Sequence, residues 1–394
     1  MMVNRITSRI FSYVAFIVVF LGLLSAFAPF VTDMYLPTLP ALASEFRTSA
    51  SMIQLGLTAS MVGLALGQIF FGPLSDRFGR RPILVVSLLV FVVSTALCVY
   101  AVDIKFFLYM RLLQGLGASG GIVLSRSIAA DLYSGRELGR MMAIVGAVNG
   151  IAPVTAPVIG GAVGAVYGWQ GIFVVLLCIG LLLLAMSTVF HESFPRASRS
   201  GTSVMRSFAN YTHLVRNRKF VGYTLAFAMS QGVLFAYIAA APFVVQNLFG
   251  FSEMQFSLIF GLNALGIGLG SAMSMKFGSM RSAAVFGACG MTVAAACMLA
   301  CNLTLGTFLP YEICTWVMLF SMGFVFTGAT TLAMEKGREY IGAASATVGA
   351  SGFLVGGLVS PLVGIGAYIV ACPAVCVVCA VLSVGALVMA RNNR

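Results

Sequence analysis

The sequence predicts an all-α membrane protein of twelve transmembrane helices, and three observations predict it. The chain is 60% hydrophobic and only 9% charged, against roughly 25% charged residues in soluble domains. Apolar runs long enough to cross a hydrocarbon core of about 30 Å, roughly 20 residues as a helix, recur along all 394 residues. Nineteen of the 23 Lys and Arg fall in one set of loops, while only Arg47 and Lys105 fall in the other and Arg111 and Arg126 lie inside helix 4. Basic residues are retained on the cytoplasmic side during insertion, and a missed span would invert every later loop, so the asymmetry independently supports an even helix count.

The expected helices run near 12–36, 50–72, 83–101, 106–130, 140–165, 171–190, 220–247, 254–275, 282–301, 307–333, 342–365 and 370–390. The apolar run from Ile10 to Phe30 is too long for a secretory h-region, although Ala26-Phe27-Ala28 mimics a cleavage site. Most connections are a few residues long, which makes successive helices antiparallel neighbours. The polar stretch His191 to Lys219 is the exception and divides the chain into an N-terminal six-helix bundle (1–190), a cytoplasmic linker (191–219) and a C-terminal six-helix bundle (220–394). Both termini are expected in the cytoplasm. A weak internal repeat supports the division: Arg77-Phe78-Gly79 after helix 2 returns as Lys276-Phe277-Gly278 after helix 8, and helices 4 and 10 both open on Phe-Leu.

Several function classes are excluded. The net charge of +12 comes from loop residues spread along the chain, so it reports orientation in a bilayer and not a nucleic-acid partner. The nine cysteines fall in or beside apolar segments and read as small hydrophobes; Cys372, Cys376 and Cys379 share a helix face without a His or carboxylate, so no metal is expected. His191 and His213 stand alone in the linker, no Gly-Lys-Ser/Thr phosphate cradle occurs, and neither an enzyme nor a cofactor is expected.

Ionisable residues inside a membrane span are costly and therefore the first functional candidates. Asp33 lies in the outer third of helix 1, Arg111 at a comparable depth in helix 4, and Glu312 near the start of helix 10, while Arg126 near the cytoplasmic end of helix 4 is expected to snorkel. Desolvation and a nearby cation act in opposite senses on a buried carboxylate, which suits it to loading and releasing a proton. The string from Gly72 to Arg81 is the most specific in the chain: Gly72 and Gly79 are expected to allow tight turns, and Asp76 to meet a helix N-terminus or the adjacent arginines. Helix 5 concentrates Gly146, Asn149, Gly150, Pro153, Pro157, Gly160 and Gly161, residues that permit close approach and bending.

The string GPLSDRFGRRPIL resembles the signature between helices 2 and 3 of the major facilitator superfamily. TDMYLPTLP in helix 1, MRLLQGLGASGG in helix 4 and GIAPVTAPVIGG in helix 5 narrow the resemblance to the Bcr/CflA-type branch of 12-helix drug:proton antiporters, with AAPFV at 240–244 a weaker echo. The resemblance implies proton-coupled efflux of amphipathic small molecules such as bicyclomycin or chloramphenicol, by a monomer in the bacterial inner membrane; some members of the branch move nucleosides or other metabolites. It makes Asp33 the proton and substrate carboxylate, coupled to Arg111, with Tyr35 and Gln114 beside them. Gly72, Asp76, Arg77, Gly79 and Arg80 become a cytoplasmic interlock with Asp76 facing the start of helix 11. Pro153, Pro157, Gly160 and Gly161 become the antiporter motif of helix 5. Two departures stand out: Ala130 replaces the basic residue often found before Asp131, which weakens any network expected there, and Glu312 has no counterpart in the branch, which leaves its role open among substrate charge selection, a second proton site and neither.

Overall fold

The computed structural model describes residues 2–133, 135–194 and 211–391. Residues 195–210, most of the expected linker, lie outside the described residues. The chain enters as α1 (Met2–Asp33), and Pro37, which has no N–H to donate, follows where the helix stops. A 3-10 turn (Leu36–Thr38) and a short helix (Leu39–Glu45) lead into α2 (Ala50–Phe78), which Ser49 caps through its side chain. Next come α3 (Arg80–Val99) and α4 (Ile104–Leu132), the latter capped by Asp103. Helix Gly135–Val189 is broken at Gly168, where φ is +64°, into α5 (135–167) and α6 (169–189). The second half runs through α7 (Arg218–Pro242, continued as a π-helical turn Phe243–Leu248), α8 (Glu253–Ser274) and α9 (Met280–Thr304). It finishes with α10 (Phe308–Lys336), α11 (Ile341–Val359, continued by a 3-10 turn Ser360–Gly364) and α12 (Tyr368–Met389).

Eleven helices among the described residues are long and apolar enough to cross a bilayer, and the Gly168 break makes one of them two passes. The twelve passes therefore agree with the expected number, although several boundaries move. Helix 2 does not end at residue 72: α2 stays helical through Phe78, and the whole reversal into α3 is made at Gly79 with φ +103°. Gly72 is thus an interior helical residue facing Val123, not a turn. The left-handed backbone at Gly79 is open to glycine at little steric cost, which explains why one residue suffices.

Helices α1 to α6 pack among themselves, as do α7 to α12, and the two sets meet along α2 with α11 and α5 with α8. Hydrocarbon supplies no hydrophobic drive for helices to associate, so close van der Waals approach must do so. Glycines provide it. A Cβ on Gly63 of α2 would strike Leu112 O of α4, and one on Gly115 of α4 would strike Ser60 O of α2. The same device recurs between α8 and α10, where Gly270 meets Phe320 O and Gly323 meets Ile267 O. The internal repeat is clearer in these contacts than in the residues themselves.

Side chains also stitch the two halves. At the end of the molecule that carries Asp33, Gln54 Nε2 donates to Ala239 O at 2.9 Å, Gln246 Nε2 to Pro37 O at 2.8 Å and Thr58 Oγ1 to Gly357 O at 2.9 Å. Gly160 and Gly161 let α5 wedge between the Met34 carbonyl that follows α1 and Ser257 of α8. Toward the other end, Gln68 of α2 lies against Gly349 of α11.

Alanine normally stabilises a helix relative to glycine by about 1 kcal/mol. Gly115→Ala is expected to reverse that sign and destabilise by about 1–3 kcal/mol through overpacking against Ser60. Gly268→Ala, where the added methyl meets nothing within 4 Å, is the control that keeps the normal sign. Unfolding of the two purified variants in detergent micelles checks the contrast.

Candidate functional site

The site is built where α1 ends. Val31, Asp33 and Tyr35 are all buried at the junction with the Leu36–Thr38 turn. That turn directs the Tyr35 ring over the guanidinium of Arg111, whose Cζ is 4.2 Å from the ring centroid and 5.6 Å from that of Phe173. Arg111 has no exposed surface. Its donors go to neutral acceptors on three helices: Nη2 to Val31 O of α1 at 3.1 Å and to Ser60 Oγ of α2 at 3.0 Å, Nε to Gly56 O of α2 at 3.3 Å, and Nη1 to Gln114 Oε1 of α4. Gln114 in turn donates from Nε2 to Thr95 Oγ1 of α3 at 2.8 Å.

The expected coupling of Asp33 to Arg111 is therefore not an ion pair. Asp33 is 5% exposed, its Oδ1 has no hydrogen-bond partner, and no carboxylate lies within salt-bridge distance of Arg111 among the described residues. The two groups are linked through the backbone, because Arg111 grips the carbonyl of Val31, two residues before Asp33. Tyr35 is an electrostatic neighbour of both.

Glu312 stands apart. It is half-buried on α10, and neither carboxylate oxygen has a partner. Its surroundings are Tyr311 on the same helix, Asn263 of α8 and Tyr237 of α7. The structure thus separates the five residues singled out from the sequence into two clusters, one in each half. Sequence reasoning passed over Ser60, Tyr237 and Asn263. Asn263 was findable as an isolated amide inside an apolar run, whereas Ser60 and Tyr237 carry no local signal. It also passed over Glu253 at the start of α8, whose Oε2 is buried without a partner beside Gly164 of α5.

At the opposite end, the string from Gly72 to Arg81 forms a dense polar knot. The guanidinium of Arg80 donates from Nε to Asp131 Oδ2 at 2.9 Å, from Nη1 to Ser75 Oγ at 2.6 Å and also to Asp76 Oδ1, and it lies 4.7 Å from the Phe194 ring centroid. Ala130 does not prevent a network at Asp131: the basic charge arrives from α3, and Ser193 Oγ adds a bond at 3.1 Å. Gly79 has no side chain to cap α3, so Glu192 does it from the end of α6, accepting from Arg80 N at 2.9 Å and Arg81 N at 3.3 Å. Asp76 is engaged by Arg80 and stays half exposed, while Arg77 is exposed against Phe78. Arg126 is exposed near the same end, and its Nη1 reaches Ser345 Oγ of α11 at 3.3 Å. On α5, Gly160 and Gly161 stand at the seam, and Pro153 and Pro157 lie one to two turns earlier in the same helix, whereas the surroundings of Gly146, Asn149 and Gly150 lie outside the described residues.

Comparison with known proteins bears on this arrangement. The family profile described as Major Facilitator Superfamily matches residues 21–361. The chain is 37% identical over 351 residues to an uncharacterized MFS-type transporter, YdgK, of Bacillus subtilis, covering 88% of this chain and 87% of that one. It is 28% identical to a bicyclomycin resistance protein homolog of Haemophilus influenzae, with 87% of each chain covered. A chloramphenicol resistance protein of Pseudomonas aeruginosa is 34% identical over 234 residues, 59% of this chain and 55% of that one. Among solved structures, a bacterial homolog of the human lysosomal transporter Spinster, inward-facing and occupied, superposes with a TM-score of 0.76 at 16% identity over 96% of each chain. The xylose transporter XylE of E. coli, partially occluded and inward open, gives 0.71 at 16% identity over 94% and 97%.

Arg111→Lys tests the cage. One ammonium cannot serve Val31, Gly56, Ser60 and Gln114 together, and each lost bond to a charged group is worth about 1.5–3 kcal/mol. The variant is expected to melt well below the parent in detergent. Gln114→Glu, which keeps an acceptor at the same place, is expected to retain more of the stability than Arg111→Lys.

Proposed function

We propose a specific activity for a chain that belongs to the Major Facilitator Superfamily: proton-coupled efflux of amphipathic small molecules, a drug:proton antiport, by alternating access. Membership makes it a multi-pass membrane transporter. The finer reading rests on one observation, a carboxylate at Asp33 that is buried, lacks a partner at Oδ1 and has no fixed counter-charge. Such a group is open to neutralisation by a proton or by a bound molecule, and competition between the two is the minimal device of antiport. The names of the bicyclomycin- and chloramphenicol-resistance relatives point to the same class of cargo.

On this reading residues 1–190 and 220–394 rock against each other as two bundles, with 191–219 as the connecting linker. The chain acts as a monomer in the bacterial inner membrane with both termini cytoplasmic, an orientation supported by the distribution of Lys and Arg. The seam of Gln54, Gln246 and Thr58 bonds is then the outer gate in its closed state. The knot around Arg80 is the cytoplasmic latch. Protonation of Asp33 releases the cargo on the outer side, and deprotonation toward the cytoplasm readies the site for the next molecule.

Two experiments test it. In inverted vesicles energised by respiration, substrate-dependent proton release is expected to fall to background for Asp33→Asn; full proton-coupled efflux by that variant would remove Asp33 from the coupling step. A disulfide between cysteines placed at 58 and 357 is expected to stop transport on oxidation and restore it on reduction, with each single cysteine as control. Transport that continues with the seam cross-linked would contradict alternating access through this gate.

A further inference from the structure

The polar cluster on the second half has an unusual balance of hydrogen-bonding groups. Asn263 is fully buried and spends its Nδ2 on the Tyr237 hydroxyl at 2.9 Å, leaving Oδ1 without a donor. Both oxygens of Glu312 are sealed from the surface and without a donor. The hydroxyl of Tyr311, a residue 1% exposed, is unpartnered as well. Four oxygens, one of them a hydroxyl that can also donate, thus stand without partners in one cluster drawn from α8 and α10, and buried polar atoms are rarely left unmatched because each costs about 1–3 kcal/mol.

No cation in the second half answers the carboxylate. Every described Lys and Arg after residue 211 lies at or beyond a helix end. Lys336 closes α10 24 residues after Glu312, about 36 Å along the helix axis at 1.5 Å per residue. No ion pair to Glu312 occurs among the described residues. The site therefore holds a carboxyl group with no internal cation to answer it when ionised. Aromatic rings stand close by: Tyr237 stacks on Phe260 with centroids 5.6 Å apart, Phe256 packs against Phe260 at 5.8 Å, and Phe249 lies 5.7 Å from Tyr311. Aromatic faces favour an organic cation with an apolar body over a small hydrated metal ion.

We propose that Glu312, Asn263 and Tyr311 form a recognition subsite for a protonated primary or secondary amine on the transported molecule. The subsite deepens the export reading and rests on it, because it identifies the cargo as organic amines carried by the same transporter. It also divides the labour between the halves: Asp33 handles the proton, and Glu312 holds the charge of the cargo. An ammonium brings two or three N–H donors to the acceptors that lack them, and its charge answers that of Glu312.

Monodansylcadaverine, a fluorescent primary amine, and its N-acetyl derivative, which keeps the apolar body but loses the charge, are the probes. Titrated against the full-length protein in detergent, the amine is expected to bind about tenfold or more tightly than the acetamide, the size of one charge-assisted bond. Glu312→Gln is expected to erase that preference while leaving acetamide binding unchanged, and Asp33→Asn to preserve the preference while losing proton release in vesicles. Equal affinity of the unmodified protein for amine and acetamide would overturn the subsite without reliance on any variant. A preference that survives Glu312→Gln would overturn it too, as would competitive displacement of the amine by millimolar NaCl, which marks an alkali-cation site. A Glu312-dependent preference in a protein that shows no proton-linked export would leave the subsite standing and remove the antiport reading.

Discussion

Everything in the first half is arranged around one guanidinium that has no access to water. Arg111 cannot shed its charge, so the fold must surround it with acceptors. It draws them from α1, α2 and α4, and reaches α3 through Gln114 and Thr95. Four helices are thereby fixed relative to one another at a single depth. The glycine contacts between α2 and α4 follow from the same demand, because Ser60 and Gly56 can reach Arg111 only if the backbones approach closely. Ser60 serves both purposes, with its hydroxyl on Arg111 and its carbonyl where a side chain at 115 would stand.

The second half repeats the helix packing without repeating the charge. Gly270 and Gly323 set α8 against α10 as Gly63 and Gly115 set α2 against α4. The shared Phe-Leu openings align Glu312 with Arg111 in sequence, but in the packing Glu312 lies eleven residues before Gly323 whereas Arg111 lies four before Gly115, so the acid is not the positional counterpart of the arginine. Two halves with a common backbone plan therefore present opposite electrostatics. One holds a saturated cation beside an aspartate with one unpartnered oxygen, and the other a cluster of unpartnered oxygens.

Much of this architecture was legible in the residues, and the limits have physical causes. Hydropathy and the distribution of Lys and Arg identified twelve passes because the bilayer imposes a length and a charge rule on each segment separately. The polar string after helix 2 was recognisable as special, yet its geometry was misjudged. Two glycines in a loop-like stretch suggested two turns, but Gly72 stays helical and Gly79 alone makes the reversal. Asp131 looked isolated because Ala130 precedes it, while its partner arrives from 51 residues away and its neighbour Ser193 from 62. The same blindness to tertiary distance grouped Glu312 with Asp33 and Arg111. Rarity in apolar sequence marks a residue as important, but not which other rare residue it meets.

The absence of an Asp33 to Arg111 ion pair carries the deepest consequence for the proposed cycle. A buried carboxylate locked to a buried guanidinium would be strongly held in its charged form, and breaking the pair would leave two uncompensated charges in low dielectric. Such a pair suits a structural role better than repeated exchange. Here the arginine is satisfied by neutral carbonyl, amide and hydroxyl oxygens, and the aspartate keeps a free oxygen. Arg111 still holds the end of α1 through the Val31 carbonyl, and Tyr35 stands beside both groups. On the proposed cycle, a movement of α1 that breaks that carbonyl bond carries Asp33 with it. In the proposed cycle, proton occupancy and helix position are tied together by one short stretch of backbone, without the energetic trap of a direct salt bridge.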